Sequence, residues 1–262
     1  MELTVIGFCL GLILLGIPLY IMYRFKVRLI SKLLVAFVKM LACLCLTGIF
    51  LYYVFEWNNV LVNILWFLLM AVVVSFTTLS KARLSVAKLT VPVLAATALS
   101  AVLFGLFFLF FVMGMKNPFD ARCFIPVMGF LTGSMLEVNY KALSTYYMGL
   151  RYHQQLYYFL LGNGATHEEA VDYFLRRALE KNAAYYISRM TYLVVGLSPV
   201  VIWSMLLSGS SVIAAVEYQT LLIIACFCTS IVALAATLWI ARRYAFDAYN
   251  QLKDITPKTI EE

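Results

Sequence analysis

Glu137, Arg189 and Lys39 fall within long apolar blocks of a 262-residue chain. An ionisable side chain in such a place is costly and is a functional candidate by default. Lys39 and Arg189 have stems long enough to snorkel to water. Glu137 is shorter, and two roles are open to it. It can be a cation ligand, or it can form an ion pair with Arg189 that keeps both groups charged. Around it, Met128, Thr132, Met135 and Asn139 recur at helical spacing. Sulfur and neutral oxygen on one helix face suit a translocation path for a soft or borderline metal. Methionine is equally a packing residue that fills irregular gaps. The six cysteines (Cys9, Cys43, Cys45, Cys123, Cys226 and Cys228) lie in or at the ends of apolar blocks. They lack the Cys-x₂-Cys spacing of a structural zinc site, so they read as small packing residues, with a soft-metal path as the alternative.

A second group of residues points to docking rather than chemistry. In Leu161-Gly162-Asn163-Gly164-Ala165-Thr166 the glycines can end a helix. Thr166 then caps the next one, with Glu169 as the partner in a T-x-x-E capping box. Glu168, Glu169 and Asp172 load the positive end of that helix, and Arg176, Arg177 and Lys181 load its negative end. Ala170, Val171, Phe174, Leu175 and Ala178 share one apolar face. The pattern predicts a short helix from His167 to Lys181, suited to a membrane surface or to a groove in another protein.

These residues need elements to hold them. Hydrophobic residues make up 64% of the chain and charged ones 13%, whereas soluble domains are about half apolar and about a quarter charged. Seven apolar blocks, near Leu3–Tyr23, Leu33–Val54, Val60–Leu79, Leu89–Met113, Cys123–Leu143, Ala184–Leu207 and Thr220–Ile240, approach the ~20 residues that cross a bilayer as helix. The first has no basic stretch before it and no cleavage-type site after it, so it is expected to be a retained span. The fold class is therefore all-α: a polytopic membrane protein of about seven helices in a single domain over 1–262. A cytoplasmic segment at about 144–183 separates spans five and six, and a short tail covers 241–262. Gly129 and Gly133, one turn apart in span five, suit close helix packing.

Sixteen of the 20 lysines and arginines fall in the loops on one side and in the tail; Lys116 and Arg122 lie on the other. The positive-inside bias then sets the N-terminus outside and the C-terminus in the cytoplasm. The net charge of +7 implies contact with anionic lipid, not nucleic acid. No phosphate-binding G-x-x-x-x-G-K-[ST], kinase or protease motif occurs. No enzyme activity, catalytic residue or bound cofactor is expected of this chain, and energy for work must come from a partner or an ion gradient.

The break Leu161-Gly162-Asn163-Gly164-Ala165-Thr166 followed by Glu168-Glu169-Ala170 resembles the coupling loop of ABC-transporter permeases. Ile125-Pro126, Gly129, Gly133-Ser134, Gly164-Ala165-Thr166, Pro199, Gly209 and Glu217-Tyr218-Gln219 follow the order seen in the FetB-like permeases, which are linked to iron export and related to plant aluminium-sensitivity proteins. The resemblance covers roughly Phe124 to Ala245. It implies a permease subunit in a bacterial inner membrane, dimerising with a second copy. A separate ATPase holding ATP and Mg would dock on Gly164, Ala165, Thr166, Glu168, Glu169, Ala170 and Phe174, and iron or another metal would move outward. The chain departs from the family where Ser134 replaces an asparagine and Val200-Val201-Ile202 replaces Gly-Met-Met. The alternatives are a secondary transporter driven by an ion gradient, which would want more buried carboxylates than Glu137, and a membrane scaffold without transport.

Overall fold

The computed structural model describes residues 13–27, 29–191, 200–247, 251–253 and 255. Their elements are α1 (Gly16–Arg24), α2 (Ile30–Trp57), α3 (Val60–Ala82), α4 (Val86–Phe107) with a π turn at Phe108–Val112, α5 (Ala121–Tyr152), α6 (Gln154–Gly162), α7 (His167–Thr191), α8 (Val200–Leu207) and α9 (Val212–Ala245). This is a polytopic all-α membrane protein. Five of these helices are long and apolar enough to cross a membrane: α2, α3, α4 with its π turn, α5 and α9. They correspond to predicted spans two, three, four, five and seven. The first part of predicted span one, residues 3–12, lies outside the described residues, as does the middle of span six.

By contact the chain separates into two units, 1–57 with 207–209, and 58–206 with 210–262. In the first unit, α2 is apolar nearly all round and exposes Leu46, Ile49 and Tyr52, the composition of a helix surrounded by lipid. Lys39 is exposed on it.

The second unit carries the core. There α3 packs on α4 and α5, α9 lies along α4 and α5, and α7 sits against α5 and α9. Local sequence sets the starts of three of these helices. The side chains of Asn59, Asp120 and Ser211 accept backbone N–H bonds at the heads of α3, α5 and α9, satisfying donors that a helix leaves unpaired. Arg83 stops α3 in a left-handed conformation, φ 55°.

The basic segments converge at one end of this unit. The Ser85 N–H donates to the carbonyl of Ile255 in the tail. Leu84, Tyr147, Leu150, Tyr157, Phe174, Phe246 and Ile255 belong to one buried cluster. At the other end, Asn63 Nδ2 donates to the Phe119 carbonyl at 2.9 Å, and Asn58 Oδ1 accepts from the Ala121 N–H at 2.9 Å.

Candidate functional site

The segment between α5 and α7 is built by hydrogen bonds that the sequence signalled. Glu169 Oε2 accepts from the Thr166 N–H at 2.7 Å and from the Thr166 hydroxyl at 2.9 Å. The Glu169 N–H donates back to Thr166 Oγ1 at 3.3 Å. Gly164 takes φ +88° just before the cap, an angle that glycine adopts without penalty. Arg176 pairs with Asp172 at 2.9 Å, and Arg242 at the foot of α9 reaches Glu168 at 2.7 Å.

Two sequence expectations are corrected here. The predicted helix was to end at Lys181, yet α7 continues to Thr191. No glycine or proline interrupts this stretch, and Asn182, which can serve as a terminator, spends its side chain on tertiary bonds instead. The apolar face suited a membrane surface or a groove in another protein, but it is buried in this subunit. Ala170 is 0% exposed and Phe174 is 2% exposed, with the Phe174 ring 3.1 Å from where a Cβ on Gly149 would stand. An amphipathic face is covered by whichever apolar surface lies nearest, and here that surface is α5 of the same chain.

Gly164, Thr166, Glu168 and Glu169 remain exposed, and Ala165 is half-buried. The outer face of α7 adds Asp172, Tyr173, Arg176 and Arg177. Tyr173 is 47% exposed. Arg177 lies 5.4 Å over its ring centroid and donates to its hydroxyl at 3.1 Å. On α6, Leu156, Tyr158 and Phe159 are exposed as well.

His167 was not singled out in sequence. Its Nδ1 is 2.8 Å from Tyr157 Oη, and its ring meets Phe246 edge-on with centroids 4.5 Å apart. Burial first, then Arg242, hold its pKa below the ordinary 6.5, against the pull of Glu168. The unfolded chain therefore binds more protons than the folded one just below pH 6.5, and stability is lost as pH falls from there toward the lowered folded value. Glu169 acts in the same sense at lower pH. Bonds from the Thr166 backbone and hydroxyl hold its carboxyl below the ordinary 4.5, so its contribution is present above 4.5 and lost as pH falls through the lowered value. We expect the melting temperature of the purified protein to drop between about pH 7 and about pH 5.5, and to drop less in His167→Gln. An equal drop in both would remove His167 from the explanation.

Within the membrane bundle, four of the five predicted path residues are packed rather than open, and Glu137 is exposed. Met128, Thr132, Met135 and Asn139 are all buried inside the second unit. Thr132 Oγ1 donates to the Met128 carbonyl at 2.8 Å. Asn139 Oδ1 accepts from Asn182 Nδ2 at 3.0 Å and from Ser230 Oγ at 3.0 Å, and Asn182 Nδ2 also donates to Ser230 at 2.9 Å. This polar node joins α5, α7 and α9. Sequence reading missed Asn182 and Ser230, although Asn182 continues the buried stripe through Phe174 and Ala178 at four-residue spacing.

Glu137 and Arg189 do not meet directly, which corrects the predicted pair. Tyr185 stands between them. Its hydroxyl donates to Glu137 at 3.0 Å and accepts from Arg189 at 3.3 Å. The register of α7 on α5 sets Tyr185 at the height of Glu137 and carries Arg189 one turn further. The Glu137 side chain is 57% exposed and has Lys141 at 3.5 Å. A Cβ on Gly129 or Gly133 would meet nothing within 4 Å among the described residues, so no described helix makes the close approach expected there. Cys43, Cys45, Cys123, Cys226 and Cys228 are free thiols, and among the described residues no three His, Cys, Asp or Glu side chains form a metal-holding group.

The second unit is thus a helical bundle in which a capped, exposed loop runs directly into a helix of the core. The chain belongs to the Uncharacterised protein family (UPF0014), which it matches over residues 5–246. That membership is consistent with a membrane permease component of an ABC transporter. No curated protein and no solved structure matches the chain.

Proposed function

We propose that this chain is the membrane subunit of an ABC transporter, with a separate ATPase seated on the Gly162–Thr166 loop and the outer face of α7. The observation that carries the reading is α7 itself. It is one unbroken helix of 25 residues, roughly 37 Å long at ~1.5 Å per residue. Its capped end is exposed, and Ala178, Asn182 and Tyr186 further along are buried against the bundle, so a push on the loop is delivered to α5 and α9 without a hinge. Family membership over residues 5–246 supports a permease.

ATP and Mg belong to the partner in this reading, and this chain contributes no catalytic residue. Two copies pair, and ATP-driven movement of the two α7 levers alternates access between the faces of the membrane. By the resemblance the substrate is a metal ion such as iron, moved outward across a bacterial inner membrane. The N-terminus lies outside and the C-terminus in the cytoplasm. The gathering of Arg83, the α5–α7 segment and the tail at one end of the second unit supports that orientation.

Because Ala170 and Phe174 are buried, the docking contacts are Gly164, Ala165, Thr166, Glu168 and Glu169 with Tyr173 and Arg177. Exposed tyrosine and arginine are the residue types most often found to dominate an interface. Tyr173→Ser combined with Arg177→Ser should reduce co-elution of a G-x-x-x-x-G-K-[ST] ATPase by about 30-fold or more. The melting temperature should stay nearly unchanged, since both side chains face outward. Undiminished co-elution would place the docking surface elsewhere.

A further inference from the structure

Asn182 and Tyr186 stand one turn apart on α7, and both are enclosed by the second unit, at 0% and 1% exposed. Each carries a polar atom with no hydrogen-bond partner among the described residues, Asn182 Oδ1 and Tyr186 Oη. Of the five buried side-chain atoms left so, these two belong to one corner of the bundle. That corner can be counted donor by donor. Asn182 Nδ2 has two hydrogens and gives them to Asn139 Oδ1 at 3.0 Å and Ser230 Oγ at 2.9 Å. Ser230 gives its one hydrogen to Asn139 Oδ1 at 3.0 Å. Ser134 gives its own to the Leu131 carbonyl at 2.8 Å. Neither serine has a hydrogen left for Asn182 Oδ1, and Asn139 presents its oxygen here. The Tyr186 hydroxyl faces Ser134 and Ser230 without reaching hydrogen-bond geometry to either.

The corner is therefore rich in acceptors: Asn182 Oδ1 and the remaining lone pairs of the two serines. A polar atom sealed from solvent without a partner is costly. In folded proteins the groups that the chain leaves so are met by ordered water. Polar neighbours that do not bond directly are also where a bridging water is expected. The molecule this corner suits is small enough to be enclosed, has two hydrogens to give, and can receive the one from Tyr186. Water meets all three conditions. A metal or alkali ion would accept no hydrogen from Tyr186. It would also find no charge to balance it on Ser134, Asn139, Asn182, Tyr186 or Ser230.

We propose that the buried corner of Asn182, Tyr186, Ser134 and Ser230 is a binding site for water. Bound water receives the Tyr186 hydrogen and donates to Asn182 Oδ1 and to a serine oxygen, which completes the polar node between α5, α7 and α9. Being free to turn, it lets α7 shift against α5 and α9 while the buried polar atoms keep a partner. The site stands whether or not an ATPase docks on α7.

The test uses the full chain in detergent micelles and a brief X-ray pulse, which makes hydroxyl radicals from water where it stands and marks the nearest side chains. Mass spectrometry then reads the marks. Tyr186 should be marked at a rate within about three-fold of Tyr173, the same residue type at 47% exposed, although bulk solvent does not reach it. Met128 is 2% exposed, packs beside Gly105 and is readily oxidised. It should be marked about ten-fold more slowly, or slower still. Cys226, one turn before Ser230 on α9 and 3% exposed, reads the same water. Tyr186→Phe keeps the ring, whose centroid is 5.4 Å from that of Phe227, and removes only the hydroxyl. Marking of Cys226 should fall about five-fold in it. Asn182→Leu should lower it as much, and where that variant folds poorly Tyr186→Phe still decides. Three results overturn the site: Tyr186 and Cys226 marked as slowly as Met128, Met128 marked as fast as they are, or marking of Cys226 that neither variant lowers.

Discussion

Phe174→Ala should destabilise the protein by about 3–5 kcal/mol, the usual cost of removing a buried phenylalanine ring. It should also release the N-terminal half of α7. Phe174 is enclosed by α5 at Gly149, and its ring also meets Tyr173 edge-on with centroids 5.4 Å apart. It is the largest side chain on the buried stripe of Ala170, Val171, Phe174 and Ala178. Besides this stripe, His167 ties the start of the helix to Tyr157 and Phe246. The Glu168–Arg242 pair has one partner 75% exposed, and such surface pairs contribute about 0–1 kcal/mol. Limited trypsin treatment reads the result directly, because Arg176 and Arg177 lie beside the ring on the exposed face. Cleavage there should accelerate sharply in Phe174→Ala. Gly149→Leu should do the same from the opposite side, by filling the space that the ring occupies. If neither variant changes cleavage or stability, α7 is held by something other than this contact, and the rigid-lever account fails.

The second large effect is expected at the polar node. Asn182→Leu removes both bonds donated by Asn182 Nδ2, to Asn139 and to Ser230. Removing one partner of a buried hydrogen-bonded group costs about 1–3 kcal/mol, and interhelical bonds within membranes average only ~0.6 kcal/mol each. Asn182 Oδ1 has no hydrogen-bond partner among the described residues, so leucine also removes an unsatisfied acceptor. The net loss should therefore lie near the low end, about 1–2 kcal/mol. The functional loss should be larger than the loss of stability. With this buried node between α7, α5 and α9 lost, the ATPase should still associate, but its ATP hydrolysis should no longer drive transport. Asn139→Leu with Asn182→Leu should cost less than the two single changes together, because the partners are removed as a set. Full transport in Asn182→Leu would mean that the node is only packing.

The parts of the site written in short-range signals were legible from sequence. The Thr166–Glu169 box needs four consecutive residues, and its bonds form as the spacing requires. The apolar blocks of spans two, three, four, five and seven are long enough to identify themselves, and they are helices. What was not legible depended on which surface meets which. The stripe through Ala170 and Phe174 is apolar whether it faces a partner or α5, and residue spacing cannot tell these apart. The end of α7 was misjudged because Asn182 is a weak helix former when its side chain is free, and here it is bonded across to Asn139 and Ser230. Glu137 and Arg189 lie on neighbouring helices, but the register between α5 and α7 puts Tyr185 in the gap. The return of the tail, with Phe246 against His167 and Ile255 under Ser85, rests on isolated apolar residues in a polar stretch and carries no periodic signal.

The central claim is that the exposed cap and outer face of α7 receive an ATPase. The most direct measurement is site-specific photo-crosslinking in intact membranes, with the reactive residue placed at position 173 and, as a control, at Leu61, an exposed apolar position on α3. The account predicts an adduct from position 173 whose partner carries a G-x-x-x-x-G-K-[ST] phosphate-binding loop, and no such adduct from position 61. Adducts from position 173 that contain only lipid, or none at all while the ATPase is present in the same membranes, would contradict it.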